Sequence, residues 1–169
     1  MSCKQITNIL LNLFYPLDFE STSNKYEMLF ENLIKKKSHL LISSIQISEF
    51  INRCIRIQFK LYQNATKDTT LEFKRDYRST NDYRKKMNAI LDIIKTDISD
   101  NFIFIDDGFS QMNRQNIFVY GFSYDFNDSL LVEIARQHNA ILITNDADYA
   151  NYGHDIQIVT SNKFLLMSH

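Results

Sequence analysis

The stretch Asn127-Asp128-Ser129-Leu130-Leu131-Val132-Glu133-Ile134-Ala135-Arg136-Gln137-His138-Asn139-Ala140-Ile141-Leu142-Ile143-Thr144-Asn145-Asp146 carries two periodicities in one run. Leu130, Leu131, Ile134 and Ala135 recur at helical spacing, so Asn127–His138 reads as an amphipathic helix. Ala140–Thr144 is then almost wholly apolar, the pattern of a parallel strand covered on both faces. A helix that feeds directly into such a strand is half of a βαβ unit.

Working outward, the same alternation recurs. Lys4–Ile6, His39–Ile42, Phe102–Ile105 and Ile156–Val159 read as further short strands. Between them lie helical patterns. Lys25–Lys37 places Tyr26, Met28, Leu29, Leu33 and Ile34 largely on one face, and Asn81–Thr96 does the same with Tyr83, Met87, Ile90, Leu91 and Ile94. Ser43-Ser44-Ile45-Gln46 has the form of a capping box opening a long helix through about Leu61, in which Ile47, Phe50, Ile51 and Cys54 follow helical spacing. The polar segment 64–79 has no clear pattern. Strands separated by helices imply right-handed crossovers and an α/β fold with a mostly parallel central sheet of about five strands.

Composition supports this. The 169 residues fit one domain, 1–169, and 44% hydrophobic residues supply a core. Only 3 glycines and 1 proline argue against an all-β fold, which needs many tight turns. Cys3 and Cys54 form no disulfide framework, and no CxxC or HxxxH spacing points to zinc. The apolar run Ile6–Leu17 is too short to span a bilayer, so a reduced, cytoplasmic protein with no membrane partner is expected.

The net charge of −1 conceals an asymmetry. Residues 53–95 hold eleven Lys/Arg against five acids, whereas residues 96–169 hold three against ten. A basic middle beside an acidic last third suits a phosphate-facing surface next to a cation-binding one; solvated helix faces are the plain alternative.

In parallel sheets, ligands bind beyond the carboxyl ends of the strands. Glu49 lies in the helix after His39–Ile42, Asp106 and Asp107 follow Phe102–Ile105, and Asp146 and Asp148 follow Ala140–Thr144. Asp128 opens the helix that leads to that last strand. Carboxylates gathered at one edge repel one another, and a divalent cation removes that penalty; oxygen ligands suit Mg²⁺ or Mn²⁺. Singly, each acid has a plainer reading. Asp125, Asp128, Asp146 and Asp148 all fit helix N-cap or first-turn positions, and Glu49 fits a solvated helix face.

Two segments resemble a known family. Phe126-Asn127-Asp128-Ser129-Leu130-Leu131 followed by Ile141-Leu142-Ile143-Thr144-Asn145-Asp146-Ala147-Asp148-Tyr149 is similar to the C-terminal signature of PIN domains. Ser44-Ile45-Gln46-Ile47-Ser48-Glu49-Phe50-Ile51 resembles the family's first long-helix motif, and Thr7-Asn8-Ile9-Leu10 its opening Asp-Thr-Asn-hydrophobic motif. Residues of about 53–98 match no motif. The resemblance implies a three-layer α/β/α sandwich and metal-dependent ribonuclease activity. It assigns catalytic roles to Glu49, Asp128 and Asp146, with Asp148 as a further metal ligand and Mg²⁺ or Mn²⁺ as cofactor. Thr7, Asn8, Thr144 and Asn145 become polar neighbours. RNA is the implied substrate, held by Arg53, Arg56, Lys60, Arg84 and Lys85 among the basic residues; an antitoxin protein and a second copy of the chain are implied partners. One position departs from the pattern: where the family places a metal-binding aspartate before Thr-Asn, this chain has Ile6. The missing carboxylate is expected to weaken cation binding and impair cleavage, and the alternative is a PIN fold without catalysis, serving RNA binding or protein interaction. A nucleotide-binding α/β domain is disfavoured, because no GxGxxG or GxxxxGK[ST] occurs.

Overall fold

Leu40, Leu41 and Ile42 are all buried, yet they face two different hydrophobic clusters. Leu40 and Ile42 pack with one, Leu41 with the other, as the two-residue repeat of a strand dictates when both faces of its sheet are covered. Ile143 and Leu142 divide the same way. The computed structural model describes residues 3–6, 9–15, 23–118, 125–152 and 156–168, and it shows an α/β architecture.

Five strands, β1 (Cys3–Ile6), β2 (His39–Ile42), β3 (Ile103–Phe104), β4 (Ala140–Ile143) and β5 (Ile158–Val159), form a sheet in the order β3-β2-β1-β4-β5. Every pairing is parallel. The helices α1 (Leu10–Phe14), α2 (Ser23–Lys35), α3 (Ser44–Thr66) and α4 (Asn81–Ile93) contribute to the larger cluster on one face. A three-residue turn, α5 (Ser99–Asn101), precedes β3. On the other face, α6 (Arg114–Ile117), α7 (Phe126–Gln137) and α8 (Lys163–Ser168) bury Ile117, Val132, Ala135 and Leu165.

The long helices begin where the sequence signals them. Ser43 is the N-cap of α3, and the Gln46 side chain accepts from the Ser43 backbone N–H at 3.0 Å and from its hydroxyl at 3.2 Å. Helix α3 outruns its expected end by five residues, to Thr66, and stops where Lys67 takes left-handed backbone angles, φ 54°. The unassigned segment beyond it is tied down by Gln63, which donates to the carbonyls of Thr69 and Leu71. A π turn, Phe73–Tyr77, then buries Tyr77 completely among Phe59, Tyr62 and Tyr83.

Helix α4 passes into a second π turn, Ile94–Ile98. Ile90, Ile94 and Ile98 all face the same cluster at four-residue spacing, which would drift around an α-helix of 3.6 residues per turn; the wider turn keeps them aligned. The expected strands Phe102–Ile105 and Ile156–Val159 contract to two residues each. Both are sheet edges with a single neighbour, and Ile103 and Phe104 are exposed.

The winding fixes where a site belongs. From β1 the chain adds β2 and β3 on one side, then crosses to add β4 and β5 on the other. The direction reverses between β1 and β4, where Ile6 and Ile143, the last residues of their strands, are paired. The crevice of a doubly wound sheet opens at such a point.

Candidate functional site

Three chain segments reach that edge of the sheet. Helix α3 starts directly after β2 and carries Glu49 and, one turn on, Arg53. Helix α7 starts with Asp125 as its N-cap, which accepts from the Asn127 N–H at 2.7 Å, and places Asn127 and Asp128 in its first turn. The loop after β4 carries Asp146, whose Oδ1 accepts the Asp148 N–H at 3.1 Å and so opens the 3₁₀ turn Ala147–Asn151. Glu49, Arg53, Asp125, Asn127, Asp128, Asp146, Asp148 and Tyr149 line one open pocket of about 200 Å³.

The capping and pocket roles thus coincide. Asp125 and Asp146 satisfy backbone N–H groups, as helix-start acids should, and line the pocket as well. Two hydrogen bonds cross between segments. Asn127 donates from Nδ2 to Glu49 Oε1 at 2.9 Å, joining α7 to α3. Tyr149 donates its phenol proton to Asp128 Oδ1 at 2.9 Å, joining the 3₁₀ turn to α7.

The charge is unbalanced: five carboxylates against one guanidinium. Burial raises the Asp128 carboxyl to about 6, the Tyr149 hydrogen bond opposes the rise, and the charges of Asp146, Asp125 and Glu49 add to it. Tyr149, almost fully buried, is pushed well above the ordinary phenol range by burial, then by the adjacent Asp128 charge.

An all-oxygen, net-negative donor set is the chemistry of a hard divalent cation site. Spacing is another matter. Among the described residues, no three acidic, histidine or cysteine side chains meet as a ready-made cage for an ion. The donor set fits a hard cation in its chemistry, with its acids distributed around the pocket lining.

Of the residues singled out from sequence, Glu49, Asp128, Asp146, Asp148 and Arg53 come together. Thr144 is fully buried just behind them, its Oγ1 accepting the Asp146 N–H at 3.1 Å. Asn145 takes part differently: its Oδ1 accepts from the phenol of Tyr26 at 2.9 Å, on the α2 side. Thr7 and Asn8 lie outside the described residues. Neither Asp106 nor Asp107 lines the pocket: Asp106 is exposed, and Asp107 accepts from the N–H (3.2 Å) and hydroxyl of Ser44 in the first turn of α3.

Four of the expected basic residues do not line the pocket. Arg56 is held 4.1 Å over the Phe73 ring, and Lys60, Arg84 and Lys85 are exposed without lining the pocket. On α3, Arg56 and Lys60 share the helical face of Arg53, at i+3 and i+7, and lie about one and two turns further along the axis, beyond the pocket. Asp125, Asn127 and Tyr149 line the pocket although sequence reasoning gave them no site role. Their signal lay in the motif neighbourhood itself, since each sits within three residues of Asp128 or Asp146.

No family model matches the chain, and no curated protein does. Among solved structures, it is similar to the crystal structure of VapBC2 from Rickettsia felis bound to a DNA fragment from their promoter, with a TM-score of 0.49 and 18% identity over 95% of this chain and 99% of that one. No helix among the described residues is long and apolar enough to cross a membrane.

Proposed function

We propose that the chain is a single PIN-type α/β/α domain that cleaves RNA with Mg²⁺ or Mn²⁺. One observation carries the reading: Glu49, Asp128 and Asp146, singled out by motif, line a single pocket at the switch point of a parallel sheet. These three and Asp148 would hold the cation. When bound, it would polarise the phosphodiester and make water a stronger acid.

The chain's own residues do the rest. Arg53 faces the pocket and holds a phosphate oxygen by charge. Asn127 fixes the rotamer of Glu49, and Tyr149 donates to Asp128, which favours its ionised form against burial. The motif resemblance extends the reading to a toxin restrained by an antitoxin protein, and to a homodimer.

A second reading has one observation in its favour. Residue 6 ends β1 beside Ile143 at the switch point and is isoleucine, which cannot ligate. On that reading the fold has lost catalysis and serves RNA binding or protein interaction. Mn²⁺ titration by calorimetry, with cleavage of a labelled single-stranded RNA by wild type and Asp146→Asn, separates the two. Cation-dependent cleavage abolished in Asp146→Asn supports the nuclease; RNA binding without cation binding or cleavage supports the inactive module.

A further inference from the structure

Tyr26 lies on α2, outside the acidic pocket, and is 3% exposed. Its hydroxyl is nonetheless the meeting point of three chain segments. It donates to Asn145 Oδ1 at 2.9 Å, in the loop after β4. It accepts from the backbone N–H and from the hydroxyl of Ser161, each at 3.0 Å, in the loop after β5. Asn162 completes the tie by donating from Nδ2 to the Asn145 carbonyl at 2.9 Å.

We propose that Tyr26 is a positioning residue of the acidic site, its hydroxyl pinning Asn145 and thereby the orientation of Asp146, which follows it in the chain. A phenol supplies one proton and two acceptor lone pairs, and here all three are engaged. The ring is anchored in the main cluster with Leu33, Ile9 and Ile143, so the hydroxyl is a fixed point. Asp146 is then held from both sides: Thr144 Oγ1 accepts its N–H, and its Oδ1 accepts the N–H of Asp148. A loop between a strand end and a 3₁₀ turn has few regular backbone bonds of its own, and side-chain ties replace them. Partners that orient a ligand typically change cation affinity about 10–100-fold when removed.

The geometry stands independently of the nuclease reading; only the consequence for cation binding rests on it. The test uses Tyr26→Phe, Asn145→Ala and the double variant in the full chain. Mn²⁺ affinity is read by calorimetry, and amide hydrogen exchange at Asp146, Asp148 and, as a distant control, Ile90. Tyr26→Phe should weaken Mn²⁺ binding about tenfold and speed exchange at Asp146 and Asp148 with Ile90 unchanged. Adding Asn145→Ala to it should bring less than the sum of the two single losses, because the Tyr26–Asn145 bond is common to both and the 3.3 Å bond from Ser161 Oγ is lost in addition. Unchanged exchange at Asp146 and Asp148, or a loss of protection shared equally by Ile90, overturns the proposal. If wild type binds no Mn²⁺, the nuclease reading fails, and the exchange measurement still decides the role of Tyr26. Should Tyr26→Phe not fold, Ser161→Ala removes one donor to the Tyr26 oxygen together with its own 3.3 Å bond to Asn145 Oδ1; faster exchange at Asp146 and Asp148 with Ile90 unchanged supports the proposed tie, and no change overturns it.

Discussion

Tyr149 donates a hydrogen bond of 2.9 Å to Asp128, joining the turn after β4 to the first turn of α7 across the pocket floor. The bond lowers the Asp128 pKa while burial and three neighbouring acids raise it, and burial wins, leaving the group at about 6. Tyr149→Phe removes the only one of these influences that favours the carboxylate. The Asp128 pKa should therefore rise above about 6, read by NMR titration of the side-chain carboxyl carbon. Global stability should fall by about 1 kcal/mol, the usual loss for one buried hydrogen bond.

The raised Asp128 pKa makes stability depend on pH. The group titrates near 3.8 when unfolded and near 6 when folded, so between these values the native state holds more protons than the unfolded one. Stability without divalent cation should then decline as pH rises from about 4 to above 6, opposite to the usual carboxylate. Thermal unfolding in chelator across that range should show the decline, and Asp128→Asn should flatten it. A cation that binds the ionised site should raise the melting temperature more at pH 7.5 than at pH 5.

Residue 6 tests the missing ligand. It ends β1 in register with Ile143, three residues before Asp146. Ile6→Asp should strengthen Mn²⁺ binding by about tenfold, equivalent to about 1.4 kcal/mol, and raise RNA cleavage with it. Without cation the variant should be less stable than wild type, since it adds a carboxylate at the strand end nearest a pocket already lined by five. Calorimetry with cleavage assays on wild type, Ile6→Asp and Ile6→Asp combined with Asp146→Asn checks this. A wild type that cleaves as well as Ile6→Asp means that the acids present suffice.

Arg53 and Arg56, three residues apart on α3, should behave oppositely. Arg53 lines the pocket, so Arg53→Ala should weaken RNA binding and reduce its salt dependence, with little change in melting temperature. Arg56 stacks over Phe73, so Arg56→Ala should cost about 0.5–1 kcal/mol of stability and leave RNA binding unaltered. Binding isotherms at two salt concentrations, beside thermal unfolding, separate the two roles.

Periodicity and motif order are local, and they were legible in the chain. The run Asn127–Asp146 announced a helix feeding a buried parallel strand, Ser43 and Gln46 announced the start of α3, and the acids at strand ends announced an edge site. Strand order, side-chain direction and cross-segment bonds are not local. Nothing in residues 23–35 showed that Tyr26 reaches Asn145, 119 positions away, or that Phe73 captures Arg56, or that Asp107 turns back to cap Ser44. Each depends on which elements the sheet places side by side, and one pattern of apolar residues is compatible with several strand orders. The sequence by itself determined which acids stand at strand ends and helix starts; the β3-β2-β1-β4-β5 winding decided which of them share a pocket, because it brings the ends of β2 and β4 together around β1.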